Sequence, residues 1–151
     1  MGSDDDTPFL DALTGVTDAQ WDELSQALDA LEGVTTFAEW AGGQVEMKVI
    51  DGVERPVTHV PYPIYPAEVE RLRAAIGRCG LVVPYDWMDW DGLEQYRNGI
   101  GLADAPPADA VRMITAIIRS ERFGDGNIEG ALRSGTLQAA IARVLTARAA
   151  D

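Results

Sequence analysis

Apolar residues recur every three or four positions over five stretches of this chain, and they alternate with polar residues over one. Trp21, Leu24, Leu28 and Leu31 share a face and predict a helix over about 18–32. Thr17 stands before it with Gln20 three residues later, as a capping box needs, and Gly33 closes it. Val45, Met47 and Val49 then alternate with polar residues up to Asp51-Gly52, a dipeptide that tolerates positive φ. Val53, Val57 and Val60 continue past that turn, so a β-hairpin is expected. Pro56 has no N–H to donate, which puts the second strand at an edge or a bulge.

Helical spacing resumes after Pro61-Tyr62-Pro63-Ile64-Tyr65-Pro66, where each proline forces extended backbone on the residue before it. Pro66 suits the start of a helix to about 78, with Val69, Leu72 and Ile76 inward and Gly80 at its end. Leu81-Val82-Val83 predicts a short extended segment, and 84–106 an irregular connection with one helical turn through Tyr96. A connection of that length is usually functional or mobile. Three helices follow: 107–121 on Val111, Ile114, Ile117 and Ile118; 126–133 on Ile128 and Leu132; 136–149 on Leu137, Ile141, Val144 and Leu145. The expected fold is α+β and helix-dominated, with four or five helices around one core and a small antiparallel β-hairpin. The 151 residues suit a single domain over 9–151, with 1–8 expected to be a disordered tail.

Charge changes the picture of the ends. Twelve basic against 25 acidic residues give a net charge of −13, which disfavours direct nucleic-acid binding. Residues 1–32 hold nine acids and no base, whereas 111–150 hold six arginines against Glu121, Asp125 and Glu129. Two readings stand open: the ends attract each other, within a molecule or across a homodimer, or the arginines bind an anion. An acidic chain could also act as a DNA-mimic inhibitor. Cys79 is the single cysteine, so neither an internal disulfide nor a cysteine-based zinc site can form. No apolar run approaches the ~20 residues a membrane helix needs, and the acidic Met1–Asp6 lacks a secretory pattern, so a cytoplasmic location is expected.

Candidate chemistry lies in three segments. Tyr62 and Tyr65 either line a groove or pack on the hairpin, and His59 nearby has no second histidine to share a metal. Trp87 and Trp90 are interleaved with Asp86, Asp89 and Asp91, in a spacing that matches no familiar metal loop. The rings either bury against the core or stand exposed as interface anchors. Glu121, Arg122 and Asp125 occupy a helix–helix corner beside Arg119, with Gly124 and Gly126 permitting unusual backbone. The N-terminus of the next helix there could hold an anion, or Asp125 could cap it instead.

Pro61-Tyr62-Pro63-Ile64-Tyr65, Tyr85-Asp86-Trp87-Met88-Asp89-Trp90 and Glu121-Arg122-Phe123-Gly124-Asp125-Gly126, followed by Ser134-Gly135 and a final apolar helix, occur in that order. This set resembles a small prokaryotic family known only as a domain of unknown function, with PYPxY, YDWxxW and ERFxDG motifs, over about residues 18–146. Gly124 departs from the larger residue, often Cys, that the family carries there. The resemblance implies one compact domain and no activity. No P-loop, dinucleotide fingerprint, nucleophile elbow or zinc-protease helix is present, and no cofactor is expected. The leading expectation is a non-enzymatic protein-interaction or regulatory domain. The alternative is a small-ligand or anion-binding protein, or an enzyme, built on Glu121, Arg122 and Asp125.

Overall fold

The computed structural model describes residues 5–123 and 125–149. Its order is α1 (Thr7–Thr14), α2 (Asp18–Asp29), β1 (Glu39–Ala41), β2 (Val45–Ile50), β3 (Val53–Thr58), β4 (Tyr62–Ile64), α3 (Ala67–Arg78), α4 (Gly92–Gln95), α5 (Pro107–Ser120), α6 (Asn127–Ser134) and α7 (Thr136–Ala149). The fold is α+β and dominated by helices. The short α4 and three single 3₁₀ turns occupy the connection between α3 and α5.

The predicted inner faces are the core. Leu24, Leu72, Ile76, Val111, Ile114, Ile128, Leu132, Leu137, Ile141 and Val144 are all buried. Helix α5 is the centre: every residue from Ala108 to Ile117 except Asp109 is buried, with α7, α6 and α1 packed around it. Helix α2 begins with the expected box: the Gln20 amide donates to Thr17 Oγ1 at 3.2 Å and the Thr17 amide to Gln20 Oε1 at 2.9 Å. Gln20 Nε2 also donates to the Arg78 carbonyl at 3.0 Å, joining α2 to the end of α3.

The extended segment 81–83 pairs with no strand. The Thr115 hydroxyl stitches it to α5 instead, donating to the Leu81 carbonyl at 3.1 Å and accepting from the Val83 amide at 3.0 Å. Helix α1 begins inside the stretch expected to be a tail. Its Phe9 reaches the core, and Asp6 just before it bonds Arg112. A second pair joins the same two ends of the chain, Arg148 meeting Asp18 at 3.0 Å and Asp22 at 3.7 Å. The acidic N-terminal and basic C-terminal regions therefore attract within one molecule.

The hairpin is larger than its alternation suggests. β2 pairs with β3 around the Asp51-Gly52 turn, where both residues have positive φ (53° and 77°), the geometry that matches strand twist. β1 pairs with β4 in a second ladder. The Gly43 amide to the His59 carbonyl (2.6 Å) and the His59 amide to the Gln44 carbonyl (3.0 Å) link the two ladders. Residues 39–64 thus form one long two-stranded ribbon. The alternation of Val45, Met47 and Val49 ordinarily buries one face of a strand, but here β2 is exposed on both faces, with Val49 at 70%. β2 and β3 pack chiefly on each other and project from the helical body.

Candidate functional site

The three segments singled out by sequence lead to two places. The first is the corner between α5 and α6. Glu121 follows the last residue of α5, and its carboxylate turns back over the start of α6. Oε2 accepts from the Gly126 amide at 3.1 Å and Oε1 from the Ile128 amide at 2.8 Å. The helix N-terminus therefore carries its own anion, supplied by Glu121 and not by the expected Asp125, which stays exposed. Glu121 Oε2 also accepts from the Tyr65 hydroxyl at 2.7 Å. Burial, then the neighbouring Glu121 carboxylate, push the Tyr65 phenol well above its ordinary range, so it stays a donor at neutral pH.

Tyr62, Ile64, Tyr65, Arg73, Glu121 and Asp125 line an open concavity of about 440 Å³ beside this corner. Arg73 lies over the Tyr65 ring at 5.6 Å and pairs with Glu70 at 3.2 Å. Trp87 arrives from the long connection and meets Phe123 with ring centroids 6.2 Å apart. Arg119 is half-buried and Arg122 exposed, and neither forms an ion pair among the described residues. Gly124, to which sequence assigned a backbone role, lies outside the described residues. Gly126 adopts φ +94°, and a side chain there would run into the Trp40 ring, 2.7 Å away. Trp40 Nε1 in turn donates to Glu129 Oε1 at 3.1 Å, while Arg133 pairs with Glu129 Oε2 at 3.2 Å.

Trp90 goes to the second place. It packs against Tyr85 (6.1 Å) and Tyr96 (6.2 Å), and Tyr85 meets Phe9 edge-on at 5.2 Å. Beneath them lies Arg112, only 3% exposed, over the Phe9 ring at 4.3 Å. It is bonded to Asp6 at 2.6 Å and Asp109 at 2.8 Å. Burial alone disfavours the Arg112 charge, but the two carboxylates outweigh it and raise its pKa above the ordinary value. Asp109 also accepts from the Tyr96 hydroxyl at 2.7 Å.

Burial and that Asp109 bond push Tyr96 from 10.0 up to about 12. A phenol raised in the folded state contributes stability that is complete below its unfolded value and disappears as pH climbs to the folded one. The free energy of unfolding should therefore fall as pH rises from 10.0 to about 12. Urea denaturation at stepped alkaline pH checks this, and Tyr96→Phe should make the fall shallower. An identical pH profile in that variant would contradict it.

Sequence reasoning paired neither Trp40 with Glu129 nor Arg112 with Asp6. Asp109 and Arg112, three apart on one helix, carried the only local signal for that cluster. His59 does not reach the corner; it bonds Glu46 in the ribbon at 2.9 Å. Among the described residues, no three His, Cys, Asp or Glu side chains converge as metal ligands, and no helix is long and apolar enough to cross a membrane.

A family model described as a family of unknown function, DUF6508, matches residues 16–150. No curated protein and no solved structure matches the chain.

Proposed function

We propose that this chain, which belongs to the DUF6508 family of unknown function, is a protein-interaction domain that meets its partner at the α5–α6 corner. One observation carries the reading: large apolar groups stand in water around that corner. Phe123 is 76% exposed, Ile64 51% and Tyr62 50%. Aromatic groups held on a rigid frame lose little entropy on docking, and they supply most of the binding energy at protein interfaces. The frame is rigid because Glu121 binds Tyr65 to the start of α6. Its carboxylate, the best-placed acid for proton transfer, is already engaged by three donors, which weighs against an enzyme centred there.

The test is a comparison of two baits, the unaltered chain and a Tyr62→Ser/Phe123→Ser variant. Both sites are exposed, so the variant should keep its helical circular dichroism and melting temperature. It should also lose the proteins that the unaltered chain retains. Retention of the same proteins by both baits would remove the corner from the interface.

A further inference from the structure

We propose that the free edge of β2 pairs with β2 of a second copy of this chain, joining two ribbons into a four-stranded antiparallel sheet. The surface is separate from the α5–α6 corner, and the inference rests on the register of the ribbon.

A two-residue turn makes its flanking pair, Ile50 and Val53, hydrogen-bonded, and the pairing alternates from there. Lys48–Arg55 and Glu46–Val57 are then hydrogen-bonded, as is Gln44–His59, where the bond is seen directly at 3.0 Å. The groups between them point outward. On β3 the outward set is Glu54, Pro56 and Thr58, and Pro56 has no N–H, so that edge cannot extend a sheet. On β2 the outward set is Val45, Met47 and Val49. No residue among those described bonds their outward N–H and C=O groups. One edge is closed by sequence and the other left open. An open edge with alternating apolar residues is a template for a further strand.

The identity of that strand follows from side chains. Antiparallel pairing of β2 with its own copy about Met47 sets Met47 against Met47 and Val45 against Val49. All the outward groups then find partners. The same register places Glu46 of each copy opposite Lys48 of the other. Lys48, the only lysine in the chain, stands directly opposite Arg55 within its own ribbon, a like-charge pair that weakens a sheet. Its nearest acid is Glu46, 3.9 Å away on the same strand. A second Glu46 across the two-fold axis gives each lysine an opposite charge on its open side. The other face becomes a continuous apolar stripe of Val45, Met47 and Val49 from both copies. An isolated two-stranded ribbon is marginal in water, and doubling the strands supplies what it lacks.

Sedimentation velocity of the full chain across a concentration series tests the pairing. The unaltered protein should show a dimer whose population rises with concentration. Glu46→Lys and Lys48→Glu each set like charges opposite one another, so each should weaken the dimer by about tenfold or more. Mixing these two variants lays a strand with lysine at both positions against a strand with glutamate at both, and should restore a dimer that neither forms alone. The sites are exposed and remote from the core, so circular dichroism should be unchanged. A monomer at every concentration, single variants that dimerise as well as the unaltered chain, or a mixture that stays monomeric would each overturn the pairing. None of these outcomes bears on the corner, which the Tyr62→Ser/Phe123→Ser bait tests.

Discussion

Arg112→Ala should lower the free energy of unfolding by roughly 3–5 kcal/mol, the usual cost of breaking a buried ion pair by removing one partner. Three losses coincide. Asp109, which is mostly buried, loses its cation while still holding the Tyr96 hydroxyl. Asp6 is released, and with it the start of α1. The Phe9 ring loses the guanidinium that covers it at 4.3 Å and faces a void. Asp6→Asn should cost far less, because the Asp6 side chain is about half-exposed and water can replace its partner. Arg112→Met with Asp109→Asn should recover part of the loss, since that pair fills the space and leaves only the half-exposed Asp6 carboxylate, which water can solvate, without a partner. Urea denaturation reads all three. A loss below about 1 kcal/mol for Arg112→Ala would mean that water reaches the guanidinium and that α1 does not depend on it.

The second large effect is expected at Glu121. Its carboxylate holds the Gly126 and Ile128 amides and the Tyr65 hydroxyl together. Glu121→Ala should cost roughly 2–4 kcal/mol, combining a lost helix cap with a lost charge-assisted bond to a partly buried phenol. Glu121→Gln keeps one acceptor oxygen for three donors and should fall between the alanine variant and the unaltered chain. Hydrogen exchange separates this from general loosening: the amides of Gly126 and Ile128 should lose protection first, while Leu24 and Ile114 keep theirs. Removing Glu121 also removes the hydrogen bond and the negative charge that, with burial, raise Tyr65, so that tyrosine should ionise at lower pH in an alkaline spectrophotometric titration. Unchanged protection at Gly126 and Ile128 would mean that Asp125 or water takes over the cap. Because the corner's aromatic groups ride on this cap, Glu121→Ala should also weaken partner binding with Phe123 and Tyr62 intact.

Much of the framework is legible in the order of residues. Leu72 and Ile76, Val111 and Ile114, and Ile141 and Val144 lie on the inner sides of their helices because helical spacing alone sets those faces. The Thr17–Gln20 box and the Asp51-Gly52 turn are equally local, since each closes within a few residues. Helix α1 was not legible: its eight residues bury only Phe9, too little to form a periodic stripe. Residues 84–106 read as irregular because their 3₁₀ turns and α4 are too short to display a period. The candidate site was legible in part. Tyr62, Tyr65, Glu121 and Asp125 do line one concavity, and Trp87 meets Phe123 in the connection between α5 and α6, but Trp90 belongs to a different cluster.

Residue order alone dictates which sides of α2, α3, α5, α6 and α7 turn inward, where those helices begin and which ribbon edge proline closes. These are properties of neighbours a few residues apart, governed by backbone geometry and solvent. Packing in three dimensions dictates that Glu121 rather than Asp125 caps α6, that Trp40 meets Glu129 and that Arg112 meets Asp6. The last two pairs lie 89 and 106 residues apart in the chain. Several acids could satisfy each donor, and the choice falls to the one that the packed helices carry within reach. The ribbon's exposure arises the same way: alternation specifies a strand, but a face is buried only where the body extends far enough to cover it.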